Sequence, residues 1–308
     1  MTDRTVSTVI DPERCVGCGA CVRICPSGTL SMVGDIAAVV GDRSLNCGHC
    51  AAVCPAGAVR VESIDSDAFR FRTFAEKGTW LPFGETDPGE LVRLMRSRRS
   101  CRAYTAEPVR RDALEDLVRA GIAAPSGTNS QVWTFSVLPD RAAVMRLGAA
   151  VGGFFRRLDR MASRLWLRRG LRLLGKPELD DYHREYADSV REALDAWDRD
   201  GIDRLFHGAT AAIIVGSRPG GSCPVEDALL ATGHILLAAH AMGLGTCLIG
   251  FAVSAMARDA RVRAAAEIPP EEKVHAVVAL GHPAVEFHGF AGRRKPTIRW
   301  IDGATPGG

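Results

Sequence analysis

A run of closely spaced cysteines near the amino end constrains this chain more than any other feature. Seven of its ten cysteines lie between Cys15 and Cys54, in two blocks that each end in Cys-Pro. The first block has cysteines at 15, 18, 21 and 25, and the second has cysteines at 47, 50 and 54. The first block has the full spacing of a bacterial iron–sulfur ligand run, in which three thiolates bind one cluster and the fourth reaches the other. The spacing therefore predicts iron–sulfur clusters.

Disulfides, zinc and unrelated core thiols fit the cysteine pattern less well. The first residues contain no apolar signal core, so we expect a cytoplasmic protein, in which a disulfide framework is disfavoured. A four-cysteine zinc site would leave three thiols and both Cys-Pro pairs without a role. Unrelated core cysteines would not repeat a spacing.

Residues 1–65 resemble the bacterial two-cluster ferredoxins. By the crossed ligation of that family, Cys15, Cys18, Cys21 and Cys54 form one complete set of thiolates, and Cys25, Cys47 and Cys50 form a set of three. Ser44 stands where the family pattern has the fourth cysteine of the second set. The first [4Fe-4S] cluster is thus expected to be complete. The second could be a four-iron cluster with Ser44, Asp42 or water as its fourth ligand, a three-iron cluster, or empty, and an oxygen ligand should leave it more labile.

Composition narrows the class of protein further. Of the 308 residues, 46% are hydrophobic and 24% are charged, which is typical of a soluble globular protein. The formal net charge of +3 is too small to indicate a nucleic-acid partner. No uncharged apolar run reaches the ~18 residues that a membrane-spanning helix needs, so no transmembrane segment is expected.

The sequence divides into a small and a large part. We expect an iron–sulfur domain at 1–65, a linker at 66–86 whose five aromatic residues pack against a surface, and a larger domain at 87–308. Asp87-Pro88-Gly89-Glu90 is a typical helix start. Strands are predicted at 29–33, 59–61, 132–138, 211–216 and 274–280, and a mostly apolar helix at 225–242. Many helices with few, scattered strands favour an α+β fold.

Residues 154–200 carry an unusual charge pattern. Between 154 and 176 there are eight Lys or Arg and one acidic residue, and between 178 and 200 there are nine acidic residues and three Arg. Apolar residues recur at helical spacing in both halves. We interpret the segment as an inserted helical hairpin whose halves pair in charge, with membrane contact or docking of a donor protein as alternatives.

Four segments of the larger domain carry the candidate cofactor chemistry. The first is Arg96-Ser97-Arg98-Arg99-Ser100-Cys101-Arg102-Ala103-Tyr104, whose guanidinium groups suit a phosphate, although a basic last helical turn also occurs without function. The second is Ala124-Pro125-Ser126-Gly127-Thr128-Asn129-Ser130-Gln131-Val132-Trp133. The third is the glycine-rich run at 243–250, and the fourth combines residues 281–283 with 292–296. In this order and spacing, residues 88–300 resemble the FMN-dependent nitroreductase superfamily.

The resemblance implies an α+β homodimer with two FMN sites at the subunit interface. The flavin phosphate and pyrimidine edge would meet Arg98, Arg99, Ser100 and Arg102. The second segment would cross from the partner subunit, with contacts from Pro125, Ser126, Gly127, Asn129 and Gln131. Backbone N–H groups at Leu248, Ile249 and Gly250 would face the reactive flavin nitrogen, and Arg293 or Arg294 would close on the phosphate. The other three cysteines, Cys101, Cys223 and Cys247, are interpreted as buried apolar residues, and no protein nucleophile is expected.

The presence of an iron–sulfur domain and an FMN-binding domain in one chain predicts the function. Iron–sulfur clusters pass single electrons, whereas a flavin accepts electrons singly and donates them in pairs. We expect an oxidoreductase that relays electrons through the clusters to FMN and reduces a small organic acceptor such as a nitroaromatic, a quinone or an activated alkene. The donor would be a low-potential, ferredoxin-like protein or NAD(P)H. The alternatives are a non-catalytic electron carrier or redox sensor, and an enzyme that dehalogenates or fragments flavin on the same scaffold.

Overall fold

A computed structural model of the protein describes residues 4–301. The amino-terminal part holds two small antiparallel sheets, with strand β1 (Thr8–Ile10) paired to β4 (Val59–Val61) and β2 (Leu30–Val33) paired to β3 (Ile36–Val39). Two short helices, α1 (Ala20–Ile24) and α2 (His49–Ala52), start within the two cysteine blocks. The core of this part contains Cys21, Leu30, Ala37 and Val59. Each cysteine block is therefore followed by a strand, as the sequence predicts.

The larger part is built on one antiparallel sheet. Its strands are β5 (Trp133–Leu138), β6 (Ala211–Ser217), β7 (Gly245–Leu248) and β8 (Lys273–Gly281), in the order β5-β6-β8-β7. All seven residues of β6 are buried because the sheet is covered on both faces. The predicted strands at 132–138, 211–216 and 274–280 agree with β5, β6 and β8 within one residue. The sequence did not predict β7, which is short and follows a glycine-rich turn.

Helices cover both faces of the sheet. On one face lie α4 (Arg111–Gly121) and α9 (Pro224–Ala241), whose apolar side chains pack on alternate residues of β6 and β8. On the other face lie α5 (Arg141–Ala162), α10 (Gly250–Arg258) and the short α11 (Ala260–Ala264). Helix α3 (Pro88–Ser97) begins as predicted, with the Asp87 carboxylate accepting from the Gly89 N–H at 2.8 Å. The α+β class is confirmed.

The charged segment is helical, but it is not a two-helix hairpin. It consists of the end of α5 followed by α6 (Leu165–Leu173), α7 (Glu178–Glu185) and α8 (Ala187–Asp200). The chain breaks between α6 and α7 because Gly175 has a φ of +74° and Pro177 precedes the next helix. Its basic and acidic halves do pair, through Arg168–Asp180 at 3.0 Å and Arg191–Asp159 at 3.0 Å. Within residues 4–301 no helix is both long and apolar enough to cross a membrane.

The linker between the two parts is anchored on helix α4. The buried Asp116 carboxylate of α4 accepts hydrogen bonds from the backbone N–H groups of Arg72 and Thr73 at 2.7–3.0 Å, and from the Thr73 hydroxyl at 2.7 Å. Arg119 pairs with the same carboxylate at 3.1 Å. Farther along, Trp80 and Phe83 are 77% and 95% exposed in the single chain. The expectation that all five aromatic residues pack against a surface is therefore wrong within one chain.

We expect Asp116→Asn to destabilise the protein by about 3 kcal/mol, because the carboxylate is buried and its donors would lose their charged partner. Burial alone would raise the pKa of Asp116, but its hydrogen bonds from Thr73, Arg72 and Arg119 outweigh burial and lower it. A lowered pKa stabilises the fold above the unfolded value of about 3.9, and this stabilisation is lost as the pH falls below it. Denaturant unfolding at pH 7 and at pH 3 measures both effects.

The matched control is Glu115→Gln on the same helix. Glu115 pairs with Arg72 at 2.9 Å but is 38% exposed, so its loss should cost less than about 1 kcal/mol. Equal destabilisation by the two variants would show that Asp116 does not anchor the linker.

Candidate functional site

The seven cysteines of the two blocks fall into two groups in the folded chain. Cys21 is buried, which raises the pKa of its thiol, and the nearby thiols of Cys15 and Cys54 raise this pKa further. In the same way, burial raises the pKa of Cys50, and the nearby thiols of Cys47 and Cys25 raise this pKa further. The fold thus brings together cysteines from different blocks in the crossed arrangement that the ferredoxin resemblance implies. Cys18, the remaining member of the first set, is exposed.

Backbone donors surround the cysteine that ends each block. Burial would raise the pKa of Cys25, but N–H groups of the following loop and the Thr29 hydroxyl lower it overall. Cys54 has the same environment, with the Ala58 N–H donating to its sulfur at 3.2 Å and a pKa that is lowered overall despite burial. Donors of this kind stabilise thiolate, which is the form that binds iron. This donor set fits an iron–sulfur cluster.

Within residues 4–301 no three His, Cys, Asp or Glu side chains converge closely enough to hold a single metal ion. A four-iron cluster does not require such convergence, because each of its thiolates binds a different iron.

Ser44 lies at the second cysteine group. Its side chain is buried and lines a narrow cavity together with Cys25, Cys47 and Cys50. Its hydroxyl accepts from the Asn46 N–H at 3.0 Å. Asp42, the other oxygen ligand considered from the sequence, is exposed outside this cavity. Ser44 is therefore the oxygen donor that the fold presents to the incomplete set.

We expect Ser44→Cys to convert a labile second cluster into a stable one, because a thiolate binds iron more tightly than a hydroxyl does. Iron content after anaerobic gel filtration should rise from about four irons per chain, which is one tightly held cluster, toward about eight. Ser31→Cys, on β2 and outside the cavity, is the control and should leave the iron content unchanged. Eight tightly held irons in the unmodified protein would contradict the expectation.

The first predicted flavin segment lies along β7. Ser100 forms a parallel bridge with Thr246, and the Cys101 N–H donates to the Thr246 carbonyl at 2.8 Å. Tyr104 follows on the same path and donates its hydroxyl to the Cys101 carbonyl at 2.9 Å. The approach is so close that a Cβ on Gly245 would come within 2.8 Å of the Cys101 side chain. Glycine is required there for reasons of packing.

The arginines of this segment form a cluster of positive charge. Burial lowers the pKa of Arg98, and the charges of Arg99 and Arg293 lower it further. In the described part of the chain, no carboxylate forms an ion pair with Arg98, Arg99, Arg102 or Arg293. A group of close guanidinium groups without an acidic partner is suited to an anionic ligand. Arg98 and Arg99 line a cavity of about 730 Å³ that also contacts the carboxy-terminal residues 285–290.

The third predicted segment is at the other end of β7. Leu248 is half exposed, Ile249 is buried, and α10 starts at Gly250 with no side chain capping its first turn. Arg102 lies close to Cys247, where its charge partly offsets the pKa rise that burial gives that thiol. The fold therefore brings the first and third segments together with residues 281–283 of the fourth, and the charge of Arg293 lowers the pKa of Arg98.

An apolar cavity of about 510 Å³ lies beside the start of α10. It is enclosed by α5, α8 and Phe251, with Phe155 and Trp197 among its aromatic walls. His207 lies at its edge, and burial lowers the pKa of this imidazole, which the charge of Arg102 lowers further. The charged helical insertion thus supplies one wall of a cavity next to the arginine cluster.

The second predicted segment lies elsewhere in the chain. Its Gly127 N–H and Ser130 hydroxyl donate to the buried Asp227 carboxylate, at 2.8 and 3.1 Å, in the first turn of α9. The arginine cavity instead contacts His240 and Gly243, at the other end of that helix. With 18 residues, α9 is about 27 Å long. Within one chain, the second segment and the arginines therefore stand at opposite ends of α9.

Asn129 and Gln131 have unusual backbone conformations and defined partners. Their φ angles are +54° and +46°, which non-glycine residues rarely adopt. The Asn129 side chain donates to the carbonyls of Leu45 and Asn46, both at 3.0 Å, and accepts from Gln131 Nε2 at 3.0 Å. The predicted flavin contact Asn129 thus ties its own loop to the iron–sulfur domain.

Sequence reasoning missed several residues that build these sites. Asp227, Tyr104 and Asn46 position the segments described above, and an acidic residue inside an apolar helix was a usable signal for the first of them. The interpretation of Cys101 and Cys247 as buried is confirmed. It is wrong for Cys223, which is exposed where it precedes α9 beside the second segment.

Comparisons with known proteins find relatives for both parts of the chain. A model of the nitroreductase family matches residues 95–282, and a model of the 4Fe-4S binding domain matches residues 8–31. A Thermus thermophilus protein named NADH dehydrogenase is 28% identical over 205 residues, which cover 66% of this chain and 91% of that protein. An Archaeoglobus fulgidus relative, whose name pairs NADH dehydrogenase with NAD(P)H nitroreductase, is 26% identical over 200 residues, covering 64% of this chain and 87% of its own.

Solved structures show the same fold for the larger part. A nitroreductase from Bacteroides fragilis, crystallised with bound FMN, superposes with a TM-score of 0.52 at 22% identity. The match covers 69% of this chain and 99% of that one. The remaining part of this chain includes the cysteine blocks.

Proposed function

Because this chain belongs to the nitroreductase family and carries a 4Fe-4S binding domain, it is an oxidoreductase, and we propose that it passes electrons from iron–sulfur clusters to FMN. The observation that carries the proposal is the pair of hydrogen bonds from Asn129, in the loop at 125–131, to the carbonyls of Leu45 and Asn46, which immediately precede Cys47 of the second cysteine group. That loop is one of the segments that the family resemblance assigns to flavin. In a dimer in which this loop contacts flavin, the second cluster would lie beside the flavin site.

The arginine cluster fits the anionic part of FMN. The phosphate and the pyrimidine edge would be held by Arg98, Arg99, Ser100 and Arg102. The positive charge of Arg293 acts on Arg98 as well. Positive charge at the pyrimidine edge stabilises anionic reduced flavin. The uncapped start of α10 would offer backbone N–H groups from Leu248, Ile249 and Gly250 to the reactive nitrogen. FMN, when bound, supplies two-electron transfer to the acceptor.

The position of the second segment supports a homodimer. Pro125, Ser126, Gly127, Asn129 and Gln131 lie at one end of α9 and the arginines at the other, about 27 Å apart along the helix. A second copy whose α9 packs antiparallel against the first would bring each loop to the other chain's arginines. The flavin would then be bound by both chains.

Exposed apolar side chains support the same arrangement. On α9, Val225, Leu229 and Leu230 are 45–49% exposed, and on α3 the residues Leu91, Val92 and Met95 are 44–48% exposed. Trp80 and Phe83 of the linker are exposed as well. Large exposed apolar patches mark protein–protein interaction sites. A second copy would bury it.

The acceptor would enter through the apolar cavity between α5 and α8. Its aromatic walls favour a planar organic molecule such as a nitroaromatic or a quinone, with an activated alkene as a smaller option. Electrons would come from a low-potential ferredoxin-class protein that docks on the surface where Cys18 is exposed. NAD(P)H is the second candidate donor, because the two relatives are named for NADH or NAD(P)H chemistry.

The test is anaerobic purification of the full chain. We expect flavin and iron–sulfur absorbance together, a mass of twice one chain by light scattering, and faster acceptor reduction with reduced ferredoxin than with NAD(P)H. A colourless protein after oxygen-free isolation would overturn the proposal. A monomer that binds flavin would overturn the shared site.

A further inference from the structure

The iron–sulfur domain contacts the larger domain at the loop 125–131. Asn129 donates to the carbonyls of Leu45 and Asn46, and Arg4 donates to the Thr128 carbonyl at 2.9 Å. Leu45 and Asn46 lie between Ser44 and Cys47, within the segment that lines the second cluster cavity. The incomplete cysteine group therefore faces the larger domain.

This docking point is far from the arginines of the same chain. The loop is fixed by Asp227 at the amino end of α9, whereas Arg98 and Arg99 line the cavity at its carboxyl end. The separation along α9 is about 27 Å. The geometry of one chain thus separates its second cluster site from its own arginine cluster.

We infer that each iron–sulfur domain delivers electrons to the flavin held by the arginines of the second copy, and that the Ser44-side cluster is the exit. This inference rests on the proposed function, since it needs FMN and the dimer. In an antiparallel α9 pair, the loop that carries the iron–sulfur domain is the loop that meets the other chain's arginines. The exposed Cys18 places the first cluster toward the donor.

The electron count is that of a flavin reduction. Two reduced ferredoxin-class donors each give up one electron, which passes through the two clusters of one chain. Two electrons and one proton from solvent convert FMN to its anionic reduced form. Both donors leave oxidised, and the clusters return to their starting state.

Heterodimers made from two differently tagged chains test the route. One pair joins a Cys47→Ala/Cys50→Ala chain to an Arg98→Ala/Arg102→Ala chain. The other pair joins an unmodified chain to a chain carrying all four substitutions. Each pair retains one intact exit cluster and one intact arginine cluster, on different chains in the first pair and on the same chain in the second.

Flavin content is measured first, and then the loss of flavin absorbance after mixing with reduced two-cluster ferredoxin. Transfer between chains predicts one flavin in each pair, with fast reduction in the first pair and slow reduction in the second. The reverse order of rates, or equal rates in the two pairs, overturns the inference while leaving the flavin and cluster sites in place. Flavin missing from both pairs rejects the proposed function itself, and the inference with it.

Discussion

Replacing Arg98 and Arg102 together by alanine is expected to release FMN from the protein while both cysteine groups keep their iron. Each arginine would lose a charge-assisted hydrogen bond to an anionic group, at about 1.5–3 kcal/mol apiece. The two losses together correspond to a roughly 10²–10⁴-fold weaker binding of FMN. Gel filtration at micromolar protein, followed by flavin fluorescence of the released fraction and iron analysis of the protein, measures both quantities.

Arg111→Ala/Arg146→Ala is the matched control. Both arginines are exposed on helices away from β7, and the pair removes the same total charge. The control should retain flavin. This result would distinguish direct binding of FMN by Arg98 and Arg102 from a general effect of net charge. Full flavin retention by the Arg98/Arg102 variant would remove this segment from the cofactor site.

Replacing Cys47 and Cys50 together by alanine is expected to abolish flavin reduction by a reduced ferredoxin while leaving FMN bound. The second cysteine group would keep a single thiol, Cys25, which is too few ligands for a cluster. The first group, with Cys21 in the core of the small domain, would still hold its iron. Electron paramagnetic resonance of the reduced protein should lose one cluster signal, and stopped-flow absorbance should lose the donor-driven flavin phase.

NAD(P)H provides the internal control for this variant. If NAD(P)H reduces the flavin directly, that rate should be the same with and without the second cluster, because the flavin site is intact. Donor-driven reduction at the unmodified rate would show that the clusters do not feed the flavin.

The docking of the iron–sulfur domain was not visible in the sequence, and Asn129 shows why. A Pro-Ser-Gly-Thr-Asn run offers amide and hydroxyl groups that suit a flavin edge, and the resemblance assigned them to that role. In the folded chain the Asn129 amide binds two carbonyls that lie about 84 residues earlier. Hydrogen bonds between such distant residues depend on packing, for which local pattern carries no signal.

Features that depend on a few adjacent residues could be predicted from the sequence. The cysteine spacing predicted iron–sulfur clusters, and the resemblance to the two-cluster ferredoxins implied the crossed grouping of the thiols. The helix start at Asp87 and the strands β5, β6 and β8 follow from capping chemistry and from buried apolar runs, both of which are properties of a few adjacent residues.

Residue type and spacing were enough to predict the iron–sulfur and flavin motifs and the strands β5, β6 and β8. That Ser44 rather than Asp42 lines the second cysteine group, and that the arginines and the 125–131 loop lie at opposite ends of α9, could be seen only in the folded chain. Residue type and spacing set local conformation and ligand preference. Distances between segments depend instead on how the helices pack on the sheet, which involves the whole chain.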